Sequence, residues 1–262
     1  MDDAARIVTD HISGFKNEIQ KAAQRDASSF FNWFDESGGD VDTNFIRGQC
    51  DFSFYVLMPL IEKLKDTRNK TALEIGYGGG RLLAAAAHSF KKVIGIDIHK
   101  NAQIVEEELK KRNIHNFELL LSSGKDIPVK DSSIDLVYSF IVLQHVEKID
   151  IFNHYLSEAY RILKEGSYAV LFFGRLYVFS EFTSSKLLYN IDRVLEGIYL
   201  KGYKEVPAQI NVINLKISMN YARRKAEKKG FSVVAAGVSR KLPNVNIFGG
   251  QNYLILKKPV ST

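Results

Sequence analysis

Short apolar runs alternate with helix-forming stretches along most of this chain. The apolar runs, which have the length and residue types of buried strands, are 72–75, 92–97, 116–122, 134–143 and 167–173. Between them, 81–90 is rich in Ala and Leu, and 100–112 is strongly charged, as in an exposed helix. Alternation of strand and helix patterns predicts an α/β fold with a largely parallel sheet.

Helical patterns dominate before the first apolar run. A helix with one apolar face is predicted over 3–25, an aromatic segment follows at 28–35, and a second helix is predicted over 51–65. We therefore expect a helical cap over 1–67 and a main domain over 68–262, with two alternative roles for the cap. It covers the edge of the sheet, or it closes over a ligand, with Arg47 or Phe45 touching that ligand.

The C-terminal half also contains helix and strand patterns. Helices are predicted over 150–164 and 214–229, and strands over 231–238 and 252–257. The first of these helices is expected to end in a glycine cap at Gly166. Between them lies an insertion, 175–210, which is rich in aromatic residues and either recognises a substrate or forms a packing layer.

A glycine-rich turn, Gly76-Tyr77-Gly78-Gly79-Gly80, separates the first apolar run from the helix that follows it. A strand, a glycine turn and a helix N-terminus in succession form a nucleotide-binding device, because glycine lets the backbone approach a ligand closely. The dinucleotide fingerprint G-x-G-x-x-G requires a third glycine where Arg81 stands. An NAD-dependent enzyme is therefore disfavoured.

An acidic residue, Asp97, ends the second apolar run, 21 residues beyond Gly76. A carboxylate at about this distance from a glycine turn binds the hydroxyls of a ribose, since it accepts a hydrogen bond from each. The alternative is that Asp97 caps the helix that follows. The spacing favours the ribose.

Three motifs together resemble the class I S-adenosylmethionine (SAM)-dependent methyltransferases of the type 11 kind. The first is E-x-G-x-G-x-G over 74–80, the second is D-x-P at 126–128 followed by D-x-S-x-D-L-V-x-S, and the third is R-I-L-K-E-G-S-Y over 161–168. The resemblance implies a Rossmann-like, doubly wound, seven-stranded mixed sheet whose seventh strand is antiparallel. It also implies SAM as cofactor and S-adenosylhomocysteine (SAH) as product.

The resemblance further implies a set of cofactor-binding residues: Glu74, Gly76, Tyr77, Gly78, Asp97, Ile98, Ser123, Gly124, Ser139 and Phe140. Ser123 departs from the family, which has an aspartate there to accept from the adenine amine, so this contact is expected to be uncharged. Glu165 and Ser167 are further departures, where the family has proline and glycine.

The catalytic prediction rests on Gln144-His145-Val146, which follows the fourth apolar run and in the resembling family faces the substrate. His145 is either a general base or a structural hydrogen-bonding residue. Gln144, Arg47 and Tyr177 are the candidate substrate contacts. No metal site is predicted, because the six histidines lack ligand spacing and Cys50 is the single cysteine.

Composition adds little beyond this. A net charge of +6 permits an anionic partner without requiring nucleic acid, and no apolar run approaches transmembrane length. The single cysteine and the lack of a visible signal peptide predict a cytoplasmic protein.

The methyl acceptor is predicted by elimination. Ser139-Phe-Ile-Val142 stands where enzymes that methylate base or amide nitrogens have Asn/Asp-Pro-Pro-aromatic, and there is no Pro-Cys pair for cytosine C5 chemistry. A small-molecule hydroxyl, carboxyl or amine remains the expected acceptor. An RNA methyltransferase and a non-catalytic SAM-binding protein remain open as alternatives.

Overall fold

The computed structural model describes residues 13–34, 40–124, 126–181, 183, 185–206, 213–240 and 248–260. It forms two units, Ser13–Tyr138 and Ser139–Thr262. The first ten residues of the helix predicted over 3–25, and part of the aromatic insertion, lie outside the described ranges. In the part of the chain that is described, no helix is both long enough and apolar enough to cross a membrane.

The first unit begins with three helices, α1 (Ser13–Arg25), α2 (Ala27–Trp33) and α3 (Val41–Asp51). Aspartates cap two of them: Asp26 accepts from the amide of Ser29, and Asp40 from that of Thr43, each at 2.7 Å. These amides lower the pKa of both aspartates.

The helix predicted over 51–65 is wrong in kind. A π-helical segment (Phe52–Leu57) and a 3₁₀ turn (Met58–Leu60) follow α3 directly. The regular α-helix of this region is α3 itself, which ends at Asp51, where the predicted helix was expected to begin. Proline at position 59 removes a backbone donor, so an α-helix over the predicted range would lack one of its hydrogen bonds.

Four parallel strands form the sheet of the first unit, in the order β3-β2-β1-β4. They are β1 (Thr71–Ile75), β2 (Lys92–Asp97), β3 (Phe117–Leu121) and β4 (Ile134–Ser139), and α4 (Arg81–Ala87) and α5 (Ala102–Lys111) connect them. The fourth strand ends at Ser139 rather than at 143 as predicted. Ile141 has φ 64°, which an extended strand does not allow.

The second unit opens with α6 (Ile149–Ile162) and the long strand β5 (Leu163–Arg175). The predicted glycine cap is wrong, because Gly166 lies inside β5 and its amide donates to Lys258 O at 2.8 Å. β9 (Asn252–Lys257) pairs antiparallel with both β5 and β8 (Ser232–Val238). The predicted antiparallel closing strand is therefore confirmed.

The insertion after β5 contains α7 (Lys186–Ile198) and the short strand β6 (Tyr203–Glu205). β7 (Leu215–Ile217) pairs antiparallel with β6 and parallel with β5, and α8 (Met219–Lys228) follows it. The helix predicted over 214–229 thus begins later, at Met219. With β6 and β7 the described residues contain nine strands, against the seven expected. The predicted mixed α/β fold class is confirmed.

Candidate functional site

The glycine turn after β1 has a backbone that only glycine adopts freely. Gly76, Gly78 and Gly80 have φ of 78°, 51° and 80°, all in the left-handed region. The amide of Gly76 donates to Ile96 O at 2.8 Å, which holds the turn against β2. A Cβ on Gly78 would lie 2.8 Å from the Phe34 ring, so this position has no room for a side chain.

Asp97, at the end of β2, holds the same turn from the other side. One of its carboxylate oxygens accepts from the amide of Gly78 at 2.8 Å. The other accepts from the amides of Ile98 at 2.7 Å and His99 at 3.4 Å. The carboxylate is thereby fixed at the carboxyl edge of the parallel strands, where α/β sheets bind their ligands.

His99 is a site residue that sequence reasoning missed. It is buried, and its Nδ1 accepts from the amide of Asn101 at 3.2 Å. Nε2 therefore carries the proton of the neutral ring and donates to Gly78 O, 3.1 Å away. The imidazole thus joins the end of β2 to the glycine turn. Only its position two residues after Asp97 could have indicated this role.

Aromatic side chains from the cap lie over the turn. Phe30, in the middle of α2, and Phe34, directly after it, have ring centroids 5.6 and 5.8 Å from that of His99. Tyr77 lies 5.0 Å from the same ring, nearly perpendicular to it. We call Phe30, Phe34, Tyr77 and His99 the aromatic cluster. Cap residues thus contact the glycine turn itself, and the closure of the cap over a ligand stays a prediction.

Glu74, the fourth of the five residues of β1, is a buried carboxyl. The hydroxyl of Tyr138 on β4 donates to it at 3.2 Å. Burial raises the pKa of Glu74 to about 8, against the lowering effects of that hydrogen bond and of Arg81. The carboxyl is therefore mostly protonated at pH 7, and it can both donate and accept a hydrogen bond.

The helix α3 packs closely against the start of α4. Gly48 faces the backbone of Arg81, whose guanidinium pairs with Asp51 at 2.5 Å. One turn before Gly48, Asn44 is 3% exposed, and neither its amide nitrogen nor its amide oxygen has a hydrogen-bond partner in the described structure. Arg47, predicted to touch a ligand, is exposed. Asn44 thus has two buried polar atoms without a hydrogen-bond partner among the described residues.

The loop after β3 contains the predicted adenine contacts. Both serines hold it together: the buried Ser122 hydroxyl donates to Asp126 O at 2.9 Å and accepts from the amide of Gly124 at 3.1 Å, and the Ser123 hydroxyl accepts from the amide of Asp126 at 3.4 Å. Ser123 is exposed, and Gly124 has φ 88°. The role of Ser123 stays a prediction.

In the second unit, the segment after β4 places polar side chains together. The side-chain amide nitrogen of Gln144 donates to His145 Nε2 at 3.1 Å, and Gln251 donates to Gln144 Oε1 at 2.5 Å. The side-chain nitrogen Nδ2 of Asn214 donates to His145 O at 3.1 Å. Because Nε2 accepts a hydrogen bond, the neutral His145 ring has its proton on Nδ1.

Other predicted residues of this unit have packing contacts. Ser139 is buried, and Phe140 meets Phe172 edge to face at 5.1 Å. Tyr177 stacks on Phe179, with ring centroids 6.2 Å apart. Their predicted contacts with cofactor or substrate stay predictions.

The residues of the first unit fit a SAM-like cofactor. The glycine turn has left-handed backbone angles at Gly76 and Gly78, where a cofactor would approach the backbone closely. Backbone amides also fix the carboxylate of Asp97 at the end of the neighbouring strand β2. At Gly78 the available space ends at the Phe34 ring. Bound there, SAM would contact Gly76 and Gly78 along the backbone and Asp97 at the ribose.

Comparison with known proteins agrees with this geometry. Residues 73–171 match the model of a methyltransferase domain. A malonyl-[acyl-carrier protein] O-methyltransferase of Marinomonas sp. is 26% identical over 46% of this chain, and the match spans 44% of that relative's length. An uncharacterised protein of Methanocaldococcus jannaschii is 29% identical over 68% of this chain and 83% of its own length.

Among solved structures, magnesium protoporphyrin IX methyltransferase from Synechocystis with bound SAH has a similar fold. Its TM-score is 0.61 at 14% identity, over 94% of this chain and 99% of that one. SAM as the cofactor is confirmed at the level of the family. Over residues 73–171 this chain matches a methyltransferase domain, and its fold is similar to that of solved SAM-dependent methyltransferases, which supports a class I SAM-dependent methyltransferase.

Proposed function

We propose that this protein is an enzyme that transfers the sulfonium methyl of SAM to a hydroxyl, carboxyl or amine of a small molecule. The observation that supports this most directly is the hydrogen bond between the Gly78 amide and Asp97, which fixes the glycine turn and the acid in one arrangement. A cofactor with a ribose and an amino-acid tail needs both at once. The matching domain model over 73–171 supports the same activity.

The mechanism we propose is mainly one of alignment. When bound, SAM supplies a methyl group on a positively charged sulfur, which an acceptor attacks in line. Gly76 and Gly78 let the backbone approach the cofactor, Asp97 accepts from its ribose hydroxyls, and the aromatic cluster excludes water from the turn. Holding two reactants in the correct geometry contributes up to about 7–11 kcal/mol.

His145 is the candidate base for an acceptor that must lose a proton. Its Nε2 accepts from Gln144, which Gln251 in turn holds in place. Proton transfer to Nε2 therefore requires the Gln144 amide to turn away. We propose that Gln144 sets the tautomer of His145 and releases Nε2 when an acceptor hydroxyl or ammonium takes its place as donor.

The proposed small-molecule acceptor rests on elimination and on one relative. The segment after Ser139 lacks the Pro-Pro-aromatic signature of amide and base methylation. The Marinomonas relative is named an O-methyltransferase, which favours an oxygen acceptor over an amine.

RNA is the second candidate acceptor, and one observation favours it. Helix α8 and its end expose Arg223, Arg224, Lys228 and Lys229, a concentration of positive charge that suits a phosphate backbone.

Methyl-labelled SAM separates these candidates. The full chain is incubated with labelled SAM and either a metabolite fraction or total RNA, and the labelled product is identified by mass spectrometry. Label in a small molecule is expected, and label in RNA would replace the first proposal by the second. SAH binding by calorimetry without transfer to either fraction would indicate a SAM-binding protein. Asp97→Ala serves as the cofactor-site control.

A further inference from the structure

Helix α7 turns its apolar face to solvent. Leu187, Val194 and Ile198 are 69%, 63% and 66% exposed, and Ile191 lies between them on the same face. Their spacing of four, three and four residues is that of a single helical stripe. A surface helix ordinarily turns such a stripe toward the core. This helix is inverted.

Buried polar bonds fix the inverted orientation. Asp192, on the opposite face, accepts from Arg175 at 3.0 Å and from the hydroxyl of Ser180 at 2.8 Å. One turn later, Glu196 accepts from Asn252 at 3.1 Å and from the amide of Met219 at 3.3 Å. Rolling the apolar stripe inward would break these bonds and leave the buried guanidinium of Arg175 without its carboxylate partner, which is strongly unfavourable. The stripe therefore stays outside.

The apolar surface continues beyond the end of the helix. Leu200, two residues after α7, is 95% exposed, and Tyr199 between them is also exposed. Contiguous apolar surface of this kind marks a site of association rather than ordinary solvent-facing surface. We call Leu187, Ile191, Val194, Ile198 and Leu200 the apolar stripe.

Charge indicates what covers the stripe. Between 176 and 206, every exposed charged residue is a lysine: Lys186 at the start of α7, then Lys201 and Lys204 after it. Among the acidic residues of the segment, Asp192 and Glu196 are buried, Glu205 is paired with Lys148, and Glu181 is half-buried before the start of α7. The stripe thus has a basic rim at both ends.

We propose that the apolar stripe of α7 docks on an anionic lipid bilayer. A convex helix face with a protruding Leu200 suits a yielding acyl layer, and lysines at its ends suit phosphate headgroups. A helix that lies at a membrane surface needs a polar face opposite its apolar one. In α7 the acidic residues form that polar face, and their hydrogen bonds are made within the protein. Docking would bring the enzyme to acceptors dissolved in the membrane.

Vesicle co-sedimentation of the full chain tests this proposal. We expect binding to phosphatidylcholine vesicles that contain phosphatidylglycerol, and much weaker binding to phosphatidylcholine alone. The double variant Ile198→Ser/Leu200→Ser should bind at least about ten-fold more weakly, because it removes two aliphatic side chains that would leave water on docking. Lys186→Gln/Lys201→Gln should remove the preference for the anionic vesicles. Melting temperature and SAH affinity should be unchanged in both variants.

Met58→Ser/Ile61→Ser is the matched control, since both residues are exposed and apolar but lie in the cap. It should bind vesicles like the wild type. The proposal is overturned if the wild type does not bind, if the control loses binding as much as the stripe variant does, or if both lipid compositions bind equally. A dimer in light scattering that Ile198→Ser/Leu200→Ser converts to monomer, without vesicle binding, would assign the stripe to a second copy of the chain.

Discussion

The amide of Gly78 donates a 2.8 Å hydrogen bond to the carboxylate of Asp97, and His99 returns to Gly78 by a second bond to its carbonyl. One peptide segment of the glycine turn is therefore held at both its donor and its acceptor by the end of β2. Neither partner is placed independently, so a change at one is expected to displace the other.

Asp97→Asn should weaken both the turn and the cofactor site. The asparagine side chain has one acceptor oxygen where aspartate has two. A backbone N–H that now donates to the second carboxylate oxygen would face the NH₂ group and lose its partner. We expect a loss of about 1.5–3 kcal/mol in SAH binding, measured by calorimetry, with a lower melting temperature. Glu118→Gln, in an exposed pair with Lys92, is the control and should change neither. Undiminished SAH affinity in Asp97→Asn would remove Asp97 from the site.

Gly78→Ala should destabilise the protein for two reasons. The left-handed backbone costs a residue with a Cβ about 1–2 kcal/mol, and that Cβ would meet the Phe34 ring at 2.8 Å. Chemical denaturation measures the effect. Gly197→Ala is the matched control, because it lies in α7 with nothing within 4 Å of a Cβ, and it should stabilise by about 0.4–1 kcal/mol. In the background of Phe34→Ala, Gly78→Ala should cost less. Equal costs in both backgrounds would contradict the clash.

Glu74 should make stability fall with rising pH. Its pKa is raised from 4.5 to about 8, so the folded protein holds a proton that the unfolded chain releases. This contribution is fully present below about pH 4.5 and is lost as pH rises to about 8. Glu74→Gln should flatten the dependence by at most about 5 kcal/mol, measured as unfolding free energy against pH. Glu106→Gln, in an exposed pair with Lys110, should leave it unchanged. The same pH dependence in the wild type and in Glu74→Gln would refute the prediction.

Asn44→Leu should stabilise the free protein. Burying an amide without partners costs about 1–3 kcal/mol, which an apolar side chain of similar size avoids. Since Asn44 lies one turn before Gly48 on the face of α3 that meets the start of α4, we also expect SAH affinity to fall. Asn214→Leu provides the contrast: Asn214 donates to His145 O, so its replacement should destabilise. Loss of stability in Asn44→Leu would show that its amide is satisfied.

His145→Ala should leave SAH affinity nearly unchanged and reduce kcat by about 10²–10⁴-fold once the acceptor is identified. The measurement pairs calorimetry with initial rates of methyl transfer. His145→Gln distinguishes a base from a residue that only lines the pocket, since glutamine cannot take the proton. Full activity in the alanine variant would leave alignment as the catalytic device. A joint fall in melting temperature and affinity would make His145 structural.

Short-range patterns predicted the elements around the cofactor site well. The run ending at Ile75, the glycine turn and the acid at Asp97 are each defined by neighbouring residues, and the structure has β1, α4 and β2 there. β6 and β7 were missed because each has only three residues, too few for a period to show. The start of β5 was missed because Gly166 reads as a helix cap unless its partner Lys258 is known.

Side chains that act across the sequence could not be predicted. His99 was considered only as a possible metal ligand, for which it lacks the spacing, yet it bonds to Gly78, 21 residues away. The chain from Gln251 through Gln144 to His145 joins residues 107 positions apart. A pattern within a short stretch of sequence cannot reveal either hydrogen bond. The orientation of α7, with its apolar face outward, could not be predicted for the same reason, because it depends on Arg175 in β5 and Asn252 in β9.

The contact of Phe34 with Gly78 has a consequence for how this sequence can diverge. The ring fills the space that any side chain at 78 would need, so substitutions at the two positions are not independent. We expect relatives with a residue larger than glycine at 78 to have a smaller residue at 34, and relatives with an aromatic residue at 34 to retain the glycine. Phe34, directly after α2, and the glycine turn that it contacts should therefore be conserved together among relatives.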